Sequence, residues 1–273
     1  MNKADIEEIE VDLVLHALRE RYGYDFRQYA RASLLRRLRA LASASGKSHI
    51  AELIPTVLHQ PSFLDRVING ISVSVTEPFR DPQTLQAIVQ LAFPWLKSHP
   101  FLKIWVAGCA TGEEVYSLAI LLEEAGLLDR TQIYATDINT EAIGKAAAGV
   151  FPLEAMQRAE ENYRRAGGVR QFSDYYVAQY RRAKMAGRLF ERVLLSQHNL
   201  ATDSSFGTMQ IILCRNVLIY FNRELQERAV GLFADSLTHR GFLAIGNKET
   251  LSTLPSGARF EEVDRASRLY RLH

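Results

Sequence analysis

Apolar runs of strand length alternate with helical patterns from residue 102 onward, and this alternation constrains the fold more than any other feature of the chain. Strands are predicted over 102–107, 132–136, 192–197, 209–214, 241–246 and 267–272. Helices are predicted over 113–125, 140–148 and 223–238. Strands and helices in alternation form a mainly parallel, doubly wound α/β sheet, which binds its ligands beyond the carboxyl ends of the strands.

The first 70 residues show only helical periodicity. Helices are predicted over 11–22, 26–43 and 48–69, with Gly23 and Gly70 as C-terminal stops. Two prolines disfavour a strand interior in the segment that follows, and a further helix is predicted over 83–97. The expected organisation is a helical domain over 1–70, an extended linker over 71–82 that carries polar groups into a cleft, and an α/β domain over 83–273 with an irregular subdomain over 150–190.

The overall composition is that of a globular protein, and it does not identify a binding partner. The 273 residues are 47% hydrophobic and 23% charged, which is ordinary for a soluble globular protein, and the net charge is only +2. The sequence has no apolar stretch of about 18 residues, and its N-terminus, MNKADIEEIEVD, lacks a signal-peptide arrangement. Two distant cysteines and scattered histidines match no disulfide or metal pattern. We expect a cytoplasmic monomer with no metal and no membrane insertion.

The segment 104–120, IWVAGCATGEEVYSLAI, contains a strand, a turn of small residues and a helix that begins with two acids. Gly108 is suited to the tight turn, and Gly112 is expected to let a ligand approach the backbone. A phosphate-binding loop presents N–H groups and the positive end of a helix, whereas this loop places Glu113 and Glu114 there. The turn therefore disfavours a pyrophosphate.

Polar residues follow the predicted strands along one edge of the sheet, and an acidic, glycine-lined site there suits S-adenosylmethionine. This cofactor carries adenine, ribose, a sulfonium and an amino group, but no phosphate. Asp137 closes the second strand, where an acid can accept hydrogen bonds from a ribose diol; alternatively, it caps the next helix. Glu114 is the candidate for the amino group; alternatively, it only offsets the helix dipole. Asn199 and Asn216 lie at two further strand ends.

A basic helix is predicted near the N-terminus, because residues 26–51 contain arginines but no acid. Helical periodicity places leucines on one face and Arg36, Arg37 and Arg39 on the opposite face. This basic face is either an ordinary solvated surface or a docking surface for an acidic partner. We do not expect nucleic acid as a partner, because no nucleic-acid motif accompanies the arginines.

Several longer segments resemble the CheR family of chemotaxis-receptor methyltransferases, which are protein-glutamate O-methyltransferases. These segments are VTEPFRD at 75–81, WVAGCATGEEVYSLAI at 105–120, YATDIN at 134–139, HNL at 198–200 and ILCRNVLIYFNRELQ at 212–226. In addition, SLLRRLRAL at 33–41 resembles the basic helix of the family, and GFLAIGNKETL at 241–251 resembles its late strand and loop. The resemblance spans nearly the whole chain.

The resemblance implies a Rossmann-like methyltransferase domain that binds S-adenosylmethionine, a methyl-accepting chemotaxis receptor or related signalling protein as substrate, and S-adenosylhomocysteine as product. It implies that Tyr220 lies near the reacting centre and that the N-terminal arginines face an acidic receptor helix. The residues that it assigns to the active site and the cofactor are Ser74, Thr76, Arg80, Glu114, Asp137, Asn199, Leu200, Asn216 and Val217, and Gly108 joins them as the glycine of the turn.

Arg80 is the predicted positioning group for the reaction. A glutamate carboxylate is already ionised at neutral pH, so methyl transfer to it needs no strong base. A guanidinium can hold such a carboxylate through two parallel hydrogen bonds. Alternatively, Arg80 forms a salt bridge with Asp81 or another acid, and Tyr220 belongs to the apolar core.

Two segments depart from the family pattern. Pro78 stands where the family usually has an aromatic or other apolar residue. Region 150–190 has no clear counterpart of the glycine-bearing loop that holds a receptor C-terminal peptide in tethering members, so the resemblance does not extend to a peptide tether.

Three other functions stay open on the residues alone. A nicotinamide-dependent oxidoreductase is disfavoured because the turn lacks GxGxxG and carries two acids. A methyltransferase for amines or nucleic acid is disfavoured because the chain has no N/D-P-P-Y/F stretch. A docking module without catalysis is disfavoured because residues such as Thr76, Arg80 and Asp137 are retained.

Overall fold

The computed structural model of the chain describes residues 2–74 and 76–273. Val75, the first residue of the VTEPFRD segment, lies outside the described residues. The helices are, in chain order, α1 (Lys3–Tyr22), α2 (Arg31–Ala44), α3 (Leu53–His59), α4 (Leu64–Ile71), α5 (Pro82–Ala87), α6 (Phe93–Leu96), α7 (Glu113–Glu124), α8 (Thr140–Ala148), α9 (Leu153–Arg165) and α10 (Arg223–Ser236). The strands are β1 (Leu102–Ala107), β2 (Thr131–Asp137), β3 (Val150–Pro152), β4 (Tyr176–Gln179), β5 (Arg182–Met185), β6 (Val193–Gln197), β7 (Met209–Cys214), β8 (Leu237–Ile245), β9 (Phe260–Asp264) and β10 (Leu269–Leu272).

Helices α1 to α4 pack around one apolar core near the N-terminus. Val14, Leu18 and Leu38 are fully buried at its centre. Helix α1 stops at Gly23 as predicted, because Gly23 adopts the left-handed conformation (φ 79°) that favours glycine. Within residues 2–74 and 76–273, no helix is both long and apolar enough to cross a lipid bilayer.

Two helix predictions in this region are wrong in detail. Helix α2 begins at Arg31 rather than at residue 26. The helix predicted over 48–69 is divided into α3 and α4 by a 3-10 turn that begins with Pro61, whose ring nitrogen cannot donate a helical hydrogen bond. Gly70 lies inside α4 and does not end it.

The helix predicted over 83–97 forms as one continuous helical segment, but its middle is a π-helical turn. This turn, Ile88–Ala92, joins α5 to α6. Pro94 lies two residues after the end of this turn, and because proline has no backbone N–H, the regular α-helical hydrogen bond cannot form there.

The main sheet has the strand order β6-β2-β1-β7-β8-β10-β9. Strands β6, β2, β1, β7 and β8 are parallel to one another, and β10 is antiparallel to both of its neighbours. Helix α7 lies against one face, where Ile104 and Ile133 are buried, and α10 lies against the other, where Trp105 and Ile212 are buried. The predicted doubly wound, mainly parallel α/β fold behind an all-helical segment is confirmed.

Region 150–190, predicted as irregular, contains regular elements. Strands β3, β5 and β4 form a small antiparallel sheet, which stands beside helix α9. Glu124 of α7 fixes this unit, because it accepts hydrogen bonds from the hydroxyls of Tyr163 and Tyr175 (2.8 Å for Tyr175). The strands have only three or four residues each, too few to show a clear alternation in the sequence.

Candidate active site

A cavity of about 980 Å³, including its open mouth, lies at the carboxyl ends of the parallel strands. The chain passes from β1 to β2 and β6 on one side of the sheet, and it returns to β7 on the other side of β1. The connections after β1 and β7 therefore diverge, and this switch point is where open α/β sheets bind their ligands.

The turn after β1 forms the floor of the cavity. Its first two N–H groups, of Gly108 and Cys109, donate to the carbonyl oxygen of Thr136 (2.8 and 2.9 Å). Gly108 has a φ of +77°, and a Cβ atom there would lie 2.4 Å from Cγ2 of Val217, so only glycine lets the two loops meet. Burial raises the pKa of the Cys109 thiol well above its ordinary value, which disfavours the nucleophilic thiolate form.

The prediction for Gly112 is wrong. Gly112 also has a positive φ (+94°), but a Cβ atom there would lie 2.7 Å from Cβ of Ala146. This glycine therefore permits close packing of the turn against helix α8, and it is not among the described residues that line the cavity.

Asp137, at the end of β2, faces the cavity and fixes two loops. One carboxylate oxygen accepts from the N–H of Ala110 and the other from the N–H of Asn139, both at 2.9 Å. Burial raises the pKa of Asp137, although these backbone N–H groups oppose the increase. Asp137 does not cap α8, since the cap is Asn139, whose side-chain oxygen accepts from the N–H of Ala142 (3.1 Å).

Glu114 also lines the cavity, and its carboxylate accepts a hydrogen bond from Arg215. The Arg215 side chain is only 3% exposed, and its guanidinium also donates to Asp81 (3.0 Å) and to the carbonyl oxygen of Arg80 (2.7 Å). Arg215 therefore connects the first turn of α7 to the linker. Arg215 directly follows the strand predicted over 209–214, but sequence reasoning gave it no role.

Arg80 lies on the cavity wall between two residues with left-handed backbone conformation, Phe79 (φ 53°) and Asp81 (φ 49°). The N–H of Phe79 donates to Oγ of Ser117 (2.9 Å), and its buried ring packs edge-on against Tyr163 and Phe172. The backbone on both sides of Arg80 is thus fixed.

The Arg80 guanidinium itself is only weakly engaged by the protein. Its Nε lies 4.0 Å from the carboxylate of Asp81, which is at the limit for an ion pair. Asp81 is instead hydrogen-bonded to Arg215 at 3.0 Å. A guanidinium that lines a cavity in this way is open to a carboxylate from another molecule.

The opposite end of the cavity is lined by Asn199, Leu200, Asn216 and Val217. Asn216 has a positive φ (60°), and its N–H donates to Glu249 (3.2 Å). The same carboxylate accepts from the N–H groups of Gly246 and Ile219. Burial raises the pKa of Glu249, and the three donors stabilise its charged form. Glu249 lies in the segment 241–251 that resembles the family, but sequence reasoning gave it no role because it is far along the chain from Asn216.

The linker residues Thr76 and Ser74 lie in different environments. Thr76 lines the cavity together with Tyr220. The hydroxyl of Ser74 instead lies 3.4 Å from the side-chain nitrogen of Asn139, and Ser74 is not among the described residues that line the cavity. Asn139 also donates to Asn69 (2.7 Å) and Ser72 (2.9 Å), so this cluster attaches the linker to α8.

The predicted arginine face of α2 is exposed at Arg36 and Arg39 but only partly at Arg37. Arg37 turns toward the linker and donates to the carbonyl oxygens of Ser72 (3.0 Å) and Gly70 (3.3 Å), and burial lowers its pKa. Arg39 forms an ion pair with Glu7 of α1. Their docking role stays a prediction.

The cavity has the chemistry of a site for a phosphate-free nucleoside with cationic groups. It presents the carboxylates of Glu114 and Asp137 beside a backbone turn whose first N–H groups are already bonded to the protein. Within residues 2–74 and 76–273, no group of three or more His, Cys, Asp or Glu side chains is arranged to hold a metal ion. The fold and the site together define an S-adenosylmethionine-dependent methyltransferase.

Comparison with known proteins agrees with this class. Residues 74–267 match the family model described as "CheR methyltransferase, SAM binding domain", and residues 9–72 match "CheR methyltransferase, all-alpha domain". A Pseudomonas putida protein that carries the name methyltransferase Cher3 is 45% identical over 97% of both chains. Chemotaxis protein methyltransferase 2 of Pseudomonas aeruginosa is 32% identical over 81% of this chain and 78% of its own. Chemotaxis protein methyltransferase of Listeria innocua is 29% identical over 84% and 85%.

The chain belongs to the CheR methyltransferase family, and the cofactor predicted from its sequence is confirmed.

Proposed function

We propose that the protein methylates glutamate side-chain carboxylates of a chemotaxis-type receptor or a related signalling protein. The products are glutamate methyl esters and S-adenosylhomocysteine. One observation carries the proposal: Arg80 lies on the cavity wall with a fixed backbone and a guanidinium that is largely free of protein partners. Several relatives bear the name chemotaxis protein methyltransferase, which supports a receptor as the acceptor.

Residues at the strand ends hold the cofactor in this proposal. Asp137 accepts hydrogen bonds from the ribose diol, and Glu114 faces the amino group. The adenosine end lies against Asn199, Leu200, Asn216 and Val217, while Gly108 allows close approach of the backbone, and Thr76 completes the linker side. The cofactor supplies a methyl group on a sulfonium, which is an electrophile at neutral pH.

Arg80 and Tyr220 act on the acceptor. An ionised carboxylate is already a nucleophile, so the protein contributes orientation rather than proton removal. Arg80 holds the acceptor through two hydrogen bonds, which directs one oxygen along the line of displacement. Its positive charge makes the carboxylate less nucleophilic, but orientation is worth roughly 7–11 kcal/mol in favourable cases and outweighs that loss. Tyr220 borders the same space and limits the positions that the acceptor can take.

Replacement of Arg80 by alanine separates binding from transfer. Calorimetry should give an affinity for S-adenosylhomocysteine within about threefold of the wild type, since the other cavity residues are unchanged. Base-labile methanol release, measured with labelled cofactor and a membrane fraction from the same cells, should fall to background. Normal release from R80A would contradict the positioning role, and label on lysine or nucleic acid would contradict the choice of acceptor.

The exposed Arg36 is the proposed docking residue on α2. In the same assay, R36E should raise the KM for the acceptor and leave the affinity for S-adenosylhomocysteine unchanged, because the residue lies on the surface away from the cavity wall. An unchanged acceptor KM would identify this face as ordinary solvated surface. R39E serves as a comparison, since Arg39 is already paired with Glu7.

A further inference from the structure

A tyrosine from the helical region reaches the wall of the cofactor cavity. Tyr29 lies in the segment between α1 and α2 and lines the cavity together with Asp137. Its ring packs edge-on against Phe26 and at a tilt against Phe221, with 5.0 Å between ring centroids in both pairs. The ring plane, and with it the direction of the hydroxyl, is therefore fixed before any ligand binds.

The backbone around Tyr29 is attached to the α/β part of the chain. Tyr29 and Phe221 form an antiparallel bridge. On either side of it, the N–H of Ala30 donates to the carbonyl oxygen of Tyr220, and the N–H of Asn222 donates to that of Gln28, both at 2.7 Å. The position of Tyr29 relative to the cavity is thus set by main-chain hydrogen bonds.

The Tyr29 hydroxyl has no hydrogen-bond partner among residues 2–74 and 76–273. Burial raises the pKa of Tyr29 well above its ordinary value, and the nearby charge of Asp137 raises it further. The hydroxyl is therefore protonated at neutral pH and available as a donor. Other tyrosine hydroxyls in the chain are used within the protein, for example that of Tyr22, which donates to the carbonyl oxygen of Val57 (2.8 Å).

We infer that Tyr29 is a cofactor-binding residue whose hydroxyl donates a hydrogen bond to the adenosine half of S-adenosylmethionine. The assignment follows from three observations: the hydroxyl belongs to a cavity-lining residue, its orientation is fixed by two rings and a β-bridge, and it lacks a partner in the protein. A hydroxyl that no protein group engages can donate to a ligand that fills the cavity. As a consequence, the helical domain takes part in cofactor binding as well as in any contact with the acceptor.

The test replaces Tyr29 by phenylalanine and uses S-adenosylhomocysteine and adenosine as calorimetric probes. One neutral hydrogen bond contributes about 0.5–1.5 kcal/mol, so Y29F should weaken the binding of both probes by roughly 2- to 12-fold. The thermal stability of the ligand-free protein should stay unchanged, since Y29F removes no hydrogen bond that the protein makes with itself.

Y22F is the matched control, because it removes a hydroxyl whose hydrogen bond lies inside the helical domain. It should lower the thermal stability and leave both affinities unchanged. Wild-type affinity of Y29F for S-adenosylhomocysteine would overturn the inference. A loss seen with S-adenosylhomocysteine but not with adenosine would overturn the assignment to the adenosine half. Neither measurement uses an acceptor, so the result does not depend on the proposed glutamate substrate.

Discussion

Replacement of Arg215 by methionine removes a buried guanidinium and keeps much of the apolar volume of the side chain. Arg215 is 3% exposed and bonds Glu114, Asp81 and the carbonyl oxygen of Arg80. Removal of one partner from a buried ion pair costs about 3–5 kcal/mol, because the remaining charge is left uncompensated.

The lower end of that range applies here for two reasons. The Asp81 side chain is 27% exposed and can be solvated after the change, whereas Glu114, at 13%, is less accessible. In addition, Nε of Arg215 is buried without a partner, so the wild type already carries part of the desolvation cost. We expect R215M to lower the free energy of unfolding by about 3 kcal/mol.

Urea unfolding followed by circular dichroism, with linear extrapolation to water, measures this difference. R130M is the matched control, since Arg130 donates to the carbonyl oxygens of His99 (2.9 Å) and Lys97 (3.3 Å) and leaves no acid unpaired. It should cost only about 1 kcal/mol, because these carbonyl oxygens can bond to water instead. A loss for R215M no larger than that for R130M would refute the reasoning.

The double variant R215M/E114Q provides an internal check. The E114Q change removes the carboxylate charge that R215M leaves unpaired, so part of the lost stability should return. We expect a recovery of about 1 kcal/mol or more relative to R215M. Strict additivity of the two single changes would mean that Arg215 and Glu114 do not interact in the folded protein.

Two further predictions concern the turn after β1. Burial raises the pKa of Glu113 above its ordinary value of 4.5, so its ionised form is disfavoured in the native state. The stability that the protonated carboxyl contributes is present below pH 4.5 and is lost as pH rises through the raised pKa. E113Q, which keeps an acceptor for the Thr111 hydroxyl, should therefore match the wild type in melting temperature near pH 4 and exceed it at pH 7; equal differences at both pH values would contradict this. G112A should lower the free energy of unfolding by about 2–3 kcal/mol, because alanine is strained at positive φ and its Cβ would clash with Ala146. G126A, at a position with positive φ but open space, should lower it by only about 1 kcal/mol. Equal urea midpoints for the two variants would exclude the clash.

The long periodic elements of this chain could be predicted from its sequence, and the short or long-range features could not. Strand β1 and helix α8 occur with the predicted bounds, since each is an uninterrupted pattern between clear turn residues. Strand β9, FEEVD, was missed because its acids obscure the alternation. The turn GCATG marked the floor of the cavity correctly, but sequence cannot show that Gly112 faces α8.

Residues that organise the site through distant contacts were the hardest to predict. Arg215 meets Asp81 across 134 positions of the chain, and no spacing rule connects them. Tyr29 reaches the cavity only because a β-bridge attaches its segment to Phe221. Arg37 was assigned to the solvent from periodicity alone, yet two linker carbonyl oxygens attract its guanidinium. Periodicity predicts the direction in which a side chain leaves its helix, but it does not predict the hydrogen-bond acceptors that a neighbouring segment places there.

If Arg80 positions the acceptor as proposed, the left-handed residues on either side of it make methyl transfer a sensitive measure of local order. Such a conformation costs about 1–3 kcal/mol at each non-glycine residue and persists only while the surroundings enforce it. At Phe79 the surroundings are two rings and a serine, and at Asp81 they are one guanidinium. With that role for Arg80, we expect a heated or partly denatured sample to lose methyl transfer while its sheet, and most of its ellipticity, is still intact.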